Sequence, residues 1–355
     1  MAKHGATRTA GGLRVICSGA LAALALATSG SALAQEVTPL FAADAPIDIT
    51  ITGPIRDVVR TAQRSTDPFP ATLAANGETL PIQLSVRGHS RRMGGFCRFP
   101  PLRVAFVPKP GNSSLFDGQK DLKLVVHCQD SPKYEQYVLR EYATYRLYNA
   151  LTPESFRVRL VKASYIDEGK QVAQRWAYFI EDSSDVAKRL GRKEVEVPTM
   201  LPAAGLDPAD AARVTLFEYM IGNLDWDINH NSEGVDCCHN SRLFGTTKES
   251  RTEITPVPYD FDYSGLVNTP YAVPPESVPV RSVRDRYYRG LCRHNAAIPQ
   301  AAAELIAARP KMEAALQEIP QLDPKERADM LKFMGTFFDE IANPAKVQKL
   351  LDRCR

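Results

Sequence analysis

The sequence has 355 residues, 44% hydrophobic and 24% charged, which suits one large or two ordinary packed domains and excludes a disordered chain. Its formal net charge of +3 is carried by Lys3, Arg8 and Arg14; without them the 44 lysines and arginines drop to 41 and match the 41 acidic residues. A strongly basic footprint is absent, so no nucleic-acid partner is expected.

Residues 1–34 begin with those three basic residues, continue through an apolar run from Val15 to Ala27, and end on Ser31-Ala32-Leu33-Ala34. That layout predicts a secretory signal peptide cut before Gln35, and hence an exported protein, periplasmic or extracellular. A membrane anchor is the competing reading, but the apolar run is short for a span, so no transmembrane segment is expected after cleavage.

Gln35 to Pro46 reads as a flexible N-terminal arm. Ile47-Asp48-Ile49-Thr50-Ile51 alternates as a strand does, and so do Ile82–Val86, Leu102–Phe106 and Leu122–Val126. Pro and Gly clusters such as Pro108-Lys109-Pro110-Gly111 separate them. Tyr134 to Leu151 holds no Gly or Pro and repeats its apolar residues with a helical period. Strands follow around Val158–Ile166 and Ala173–Glu181, joined by the turn Asp167-Glu168-Gly169. Asp207-Pro208 opens a helix that runs to about Ile221. Leu224 to Gly265 is irregular, with short strands near Ser241–Phe244 and Thr255–Pro258. From Ile298 the chain reads as helix, interrupted at Pro310, Pro320 and Pro344.

This order predicts an α+β fold. Residues 47–355 form a single domain with a β-rich N-terminal lobe, about 47–181, and a mainly helical C-terminal lobe, about 182–355. Six cysteines remain after the leader: Cys97, Cys128, Cys237, Cys238, Cys292 and Cys354. An even number in an exported protein predicts disulfides, with 15 pairings open. The adjacent Cys237 and Cys238 cannot easily bridge each other without strain, so each, or at least one, is expected to pair at a distance. A zinc site competes, but no CxxC or His spacing supports it.

Two segments carry chemistry. Ile221-Gly222-Asn223-Leu224-Asp225-Trp226-Asp227-Ile228-Asn229-His230-Asn231 places carboxylates and amides in a loop after a helix. A pair of short strands later, Pro258-Tyr259-Asp260-Phe261-Asp262 supplies a second acidic loop, whose two acids share one face under a period of two. Hard oxygen donors suit Mg²⁺, which takes one or two carboxylates together with substrate phosphates. An Asp beside them can accept the proton of an attacking hydroxyl. In protein kinases a base, an Asn and a metal-binding Asp follow in that order, as Asp225, Asn240 and Asp260 do here. Arg87, Arg91, Arg92 and Arg98 cluster upstream, as a solvated edge or a phosphate site.

These segments, with His239-Asn240-Ser241-Arg242-Leu243, Val86-Arg87-Gly88-His89-Ser90 and Leu139-Arg140-Glu141-Tyr142-Ala143, resemble the CotH-like proteins, a divergent secreted branch of the protein-kinase-like fold. The resemblance spans roughly residues 80–270. It implies a two-lobed kinase-like architecture and transfer of a phosphoryl or nucleotidyl group from ATP, with Mg²⁺ or Mn²⁺, to a protein or cell-envelope acceptor. It implies Asp225 as catalytic base, Asn240 and Asp260 as metal ligands with Asp262 assisting, and Lys123 as the phosphate-pairing lysine with Glu141 as its helix partner. It sets Arg87 and the Gly94-Gly95 turn over the phosphates. The chain lacks a GxGxxG loop, and Asn229 and Asn231 lie nearer to Asp225 than Asn240 does.

Other readings stay open. Asp225, Asp227, Asn229 and Asn231 alternate like a calcium loop, although His230 and Asp236 stand where an EF-hand has Gly and Glu. A Ca²⁺-stabilised structural protein is therefore one alternative, and a catalytically silent kinase-like binding or assembly protein is another. The acidic segment also suits a plain Asx-rich turn. His230 and His239 read as hydrogen-bonding loop residues rather than ligands.

Overall fold

The computed structural model describes residues 37–88, 90–93 and 95–355, and Thr7. The expected signal peptide, Thr7 apart, and Gly94 of the expected phosphate-covering turn lie outside the described residues.

Alternating apolar residues build a barrel. Its strands are β1 (Ile47–Thr52), β2 (Phe69–Ala75), β3 (Glu78–Val86), β4 (Leu102–Phe106), β5 (Asp121–Val125), β6 (Val158–Asp167) and β7 (Lys170–Ile180). They close in the order β1-β2-β3-β4-β5-β7-β6. Only β6 against β1 is parallel, with Ile47 opposite Val161. Residues two apart on each strand, such as Ile49 and Ile51, Ile82 and Leu84, and Leu122 and Leu124, point inward and are buried with Phe106, Phe116, Tyr165 and Phe179. The stretch expected as a flexible arm is packed where it is described: a short 3-10 turn at Pro39–Phe41 buries Leu40 and Phe41 in this core.

Helices α1 (Ile55–Thr61), α2 (Ser90–Met93) and α3 (Pro132–Leu151) interrupt the strands. After the barrel come α4 (Ser183–Arg189), strand β8 (Lys193–Glu194), α5 (Pro208–Ile221), strands β9 (Ser241–Gly245) and β10 (Thr255–Pro258), and helices α6 (Ile298–Gln317), α7 (Pro324–Ile341) and α8 (Pro344–Leu351). The three short strands form a second sheet, ordered β10-β9-β8. A separate apolar cluster gathers α3, α5, α6 and α7, so the α+β chain has a β-rich lobe and a mainly helical lobe, each with its own core.

Local chemistry sets the helix ends that matter here. The Asp207 carboxylate accepts from the backbone N–H of Ala209 and Asp210 and caps α5. Gly222 ends α5 with φ 66°, where a Cβ would meet Phe333 at 3.1 Å. The chain thereby turns straight into Asn223–Asp225. The interruption expected at Pro310 does not occur: α6 runs through it. The lost hydrogen bond is outweighed by burial on both sides of the proline, Leu305 and Ala308 before it and Met312 and Leu316 after it. Pro320 does fall between α6 and α7, and Pro344 opens α8.

Cys97 bonds Cys128 and Cys292 bonds Cys354. Cys237 and Cys238 bond each other, which corrects the expectation of a distant partner for at least one of them. That expectation took a bridge between adjacent cysteines to be strained; a trans peptide would hold their Cα atoms about 3.8 Å apart, whereas here the peptide is cis and they are 2.9 Å apart. Among the described residues no helix is long and apolar enough to cross a membrane.

Candidate active site

The loop after α5 is organised around Asp225. Its backbone N–H donates to Asn223 Oδ1 at 3.0 Å, an Asx turn that starts the loop. Asp225 Oδ1 lies 2.7 Å from His239 Nε2. Asn240 Nδ2 donates to the Asp225 backbone oxygen at 2.7 Å and to Oδ2 at 3.1 Å. The hydrogen bond to Asp225 raises the His239 pKa against the opposing effect of burial. Asn240 accepts no hydrogen bond on Oδ1 among the described residues and sits at φ 53°, a left-handed conformation Asn tolerates. The nearer amides are used elsewhere: Asn229 Nδ2 bonds Leu201 O, and Asn231 Nδ2 bonds Asp236 O. Asn240 is therefore the amide brought to Asp225.

Asp227 faces away from this point. Its carboxylate accepts from Arg355 Nη2 at 2.7 Å and has Arg289 Nη2 at 3.7 Å. The alternating set Asp225, Asp227, Asn229 and Asn231 thus disperses, which removes the calcium-loop arrangement.

The second acidic loop follows β10. The expected alternation stops at Asp260, where φ is 64°, and its backbone N–H donates to Tyr145 Oη on α3 at 2.8 Å. Phe261 turns into the core between Tyr145 and Phe217. The two acids converge because of that turn rather than because of a strand. Both meet Glu141 of α3: one carboxylate oxygen from each of Glu141, Asp260 and Asp262 lies within 4.8 Å of the others. Glu141 Oε1 and Asp262 Oδ2 are buried and take no hydrogen bond. Burial, with neighbouring carboxylates, pushes both groups well above the usual carboxylate range, against the pull of Arg91. The Asp225 charge is close enough to add to the rise at Asp262.

Arg91 of α2 enters the same cluster. Its Nη2 donates to Asp260 Oδ1 at 3.1 Å, and its Nε lies 3.3 Å from Asp262 Oδ2. Arg91 is 8% exposed.

Lys123 lies in the middle of β5, opposite Arg103 on β4 and Ile180 on β7. Its Nζ stands 5.3 Å from the centre of the Tyr259 ring, which Arg242 also approaches, at 5.6 Å. Burial, with the charges of Arg87 and Arg242, lowers the Lys123 pKa to about 8, while Asp182 and Asp260 oppose the fall. No ion pair joins Lys123 to Glu141 among the described residues, so the expected Lys–Glu pair is not formed: Glu141 belongs to the carboxylate cluster instead. Arg87, just past the end of β3, is close enough to Lys123 to repel it, and it too has no carboxylate partner among the described residues.

The structure thus gathers Asp225, Asn240, Asp260, Asp262 and Glu141 in one place, with Lys123 and Arg87 beside them. Reading the sequence missed Arg91 as the cluster's counter-ion, Tyr145 as the anchor of the Asp260 turn, and Arg242 and Tyr259 as neighbours of Lys123. Arg91 was one of four clustered arginines with nothing to single it out. The aromatic partners depend on the barrel and α3 coming together, which has no local signal.

No family model matches the sequence, and no curated protein matches it. Among solved structures, the Helicobacter pylori proinflammatory kinase CtkA aligns at 12% identity and a TM-score of 0.35, over 81% of this chain and 90% of that one. HipA, in the Shewanella oneidensis MR-1 toxin–antitoxin complex of HipA, HipB and operator DNA, aligns at 11% identity and a TM-score of 0.33, over 81% of this chain and 66% of that one. Likeness at this level leaves the assignment to the geometry of the site.

Proposed function

We propose that the protein is an exported kinase-like phosphotransferase that uses ATP with Mg²⁺ or Mn²⁺. The observation that carries this reading is the convergence of Glu141, Asp260 and Asp262 beside Asp225 and Asn240, facing the unpaired cations Lys123 and Arg87. The donor set is all hard oxygen, and of its buried carboxylate oxygens Glu141 Oε1 takes no hydrogen bond and Asp262 Oδ2 only the Arg91 ion pair, which fits a small divalent cation. Asp260, Asp262 and Asn240 Oδ1 would hold it, with Glu141 as a third carboxylate. When bound, the metal neutralises charge on the phosphates undergoing transfer.

The chain's own groups take the remaining roles. Lys123 and Arg87 bind phosphate oxygens and orient the triphosphate. Asp225 takes the proton of an acceptor hydroxyl as its oxygen bonds to the γ-phosphorus and the bond to ADP breaks. His239 and Asn240 fix the Asp225 carboxylate for that step. A protein or cell-envelope hydroxyl is the acceptor; transfer of the nucleotidyl group is the variant reaction at the same site. Three disulfides fit an oxidising compartment, and so fit export.

A catalytically silent binding protein is the second reading. It draws on Arg91, which already neutralises part of the carboxylate cluster. Incubating the oxidised protein with ATP and Mn²⁺ and reading intact mass separates the two. A phosphate-sized gain that is lost in Asp225→Ala and Asp260→Ala supports the kinase. A nucleotide-sized gain supports the same site with nucleotidyl transfer. No gain, together with tight nucleotide binding, supports the silent protein.

A further inference from the structure

We propose that Arg91 is a built-in competitor of the divalent metal, a guanidinium that fills the cation position of the carboxylate cluster and moves onto the nucleotide phosphates when metal and nucleotide bind. The inference rests on reading the cluster as the metal–nucleotide site.

Three acidic side chains meet at this point, and two of them, Glu141 and Asp262, are almost fully buried. Leaving several carboxylates uncompensated there would be costly. Among the described residues Arg91 supplies the one cation in direct contact with the pair from the acidic loop, at 3.1 and 3.3 Å. Its contacts go to the same two residues that would bind the metal. A divalent ion at Asp260 and Asp262 would stand beside the guanidinium, and the two positive charges would repel. One must leave.

The surroundings decide where the guanidinium can go. The cavity lined by Arg91, Glu141, Asp262 and Tyr271 is about 10 Å³, too small for it to swing further inward. Asp260, which Arg91 already contacts, is also close enough to Lys123 to act on its charge, as is Arg87, and neither of these two cations has a carboxylate partner among the described residues. A guanidinium is well suited to phosphate oxygens, which it binds through paired N–H groups. The neighbouring Arg92 is tied by Nε to Gly88 O at 3.1 Å and by Nη1 to Ala62 O at 2.9 Å. The backbone of α2 can therefore stay in place while the Arg91 side chain changes partner. Against a merely structural role stands Glu141 Oε1, which is buried in the same cluster yet left without a hydrogen bond. A purely structural network would be expected to satisfy it.

The proposal predicts changes of opposite sign in one variant. Arg91→Met, checked for folding by circular dichroism, is compared with wild type in two titrations. Mn²⁺ binding to the nucleotide-free protein, read by electron paramagnetic resonance of the free ion, should tighten about tenfold or more in the variant. Binding of a non-hydrolysable ATP analogue at saturating Mn²⁺ should weaken about tenfold, because a charged phosphate contact is lost. If both affinities weaken or neither changes, Arg91 is structural and the proposal fails while the metal–nucleotide site stands. If neither protein binds Mn²⁺ or the analogue, the reading of the site falls and the proposal falls with it.

Discussion

Glu141 on α3 and Asp262 beyond β10 bring carboxylate oxygens within 4.8 Å of each other, and each keeps one buried oxygen with no hydrogen bond. The helix expected to carry the partner of Lys123 instead carries a third acid into the carboxylate cluster. Lys123 stands beside Tyr259 and Arg87, and in the proposed function it faces phosphate.

The roles of Asp225 and Asp260 are separable. Asp260→Ala should abolish Mn²⁺-dependent binding of an ATP analogue, whereas Asp225→Ala should leave that binding within a few fold. Turnover should fall in Asp225→Ala by about 10²–10⁴-fold, the usual worth of a positioned general base. Calorimetric titration with the analogue and a transfer assay on both variants check this. Equal loss of binding in the two variants would put Asp225 in the metal site.

On the proposed reading, Lys123 would give nucleotide binding a pH dependence. Its pKa is lowered to about 8, first by burial and then by Arg87 and Arg242. Below that value the side chain is charged and pairs with phosphate; above it the charge is lost. Affinity for the ATP analogue should therefore fall as pH rises from 7 to 9. The fall should vanish in Lys123→Met, whose affinity is low throughout. A flat wild-type profile would take Lys123 out of the site.

Glu218 lies on α5 directly behind the Asp225 loop, fully buried, with the Asn223 side chain as its polar neighbour and no cation paired to it among the described residues. Burial raises its pKa to about 8, against an unfolded value of about 4.3. The folded state therefore binds the extra proton between those values, and wild-type stability drops as pH rises through that window. Glu218→Gln has no such titration. Its stability relative to wild type should improve by at least ~1 kcal/mol between pH 5 and pH 8, on a scale where one pKa unit is worth about 1.4 kcal/mol. Urea unfolding at the two pH values measures it; a constant difference would mean that Glu218 does not titrate there.

Arg355 supports the Asp225 loop from outside. Its Nη2 donates to Asp227 Oδ2 at 2.7 Å, and its Nε donates to Arg289 O at 3.0 Å. Arg289 in turn donates to the backbone oxygens of Leu224 and Trp226. Arg355→Ala leaves the buried Asp227 carboxylate with the Asn229 N–H at 3.0 Å and the more distant Arg289 guanidinium at 3.7 Å, and should cost about 1–3 kcal/mol. Urea denaturation would show it. No loss would mean that Arg289 suffices.

Much of this arrangement is legible in the sequence because it is local. Alternation at Ile47–Ile51 and at Ile82–Val86 identifies real strands, and Asp207-Pro208 and Gly222 bracket α5. Of the succession Asp225, Asn240, Asp260, the first two are hydrogen-bonded to each other and the third joins the neighbouring carboxylate cluster. What the sequence hides depends on contacts between distant segments. Phe69–Ala75 reads poorly as a strand because it contains Pro70 and three alanines, and it is held by pairing with β1 and β3. Closure of the barrel by parallel β6 and β1 leaves no mark in either strand. The position of Glu141 on α3 follows from unbroken burial from Val138 to Tyr145, all round the helix, so no polar stripe there shows which way it faces. The partner of Cys237 differs from the expectation because the peptide between the two cysteines is cis, which local sequence does not signal.

The most direct test of the metal–nucleotide site is a crystal structure of the protein with Mn²⁺ and a non-hydrolysable ATP analogue, with the ion located by its anomalous scattering. The account predicts a peak within about 2.0–2.2 Å of carboxylate oxygens of Asp260 and Asp262, with the β- or γ-phosphate on the same ion and Lys123 at the phosphates. An ion bound elsewhere, or Asp260 and Asp262 left without metal while the analogue sits away from Lys123, would contradict it.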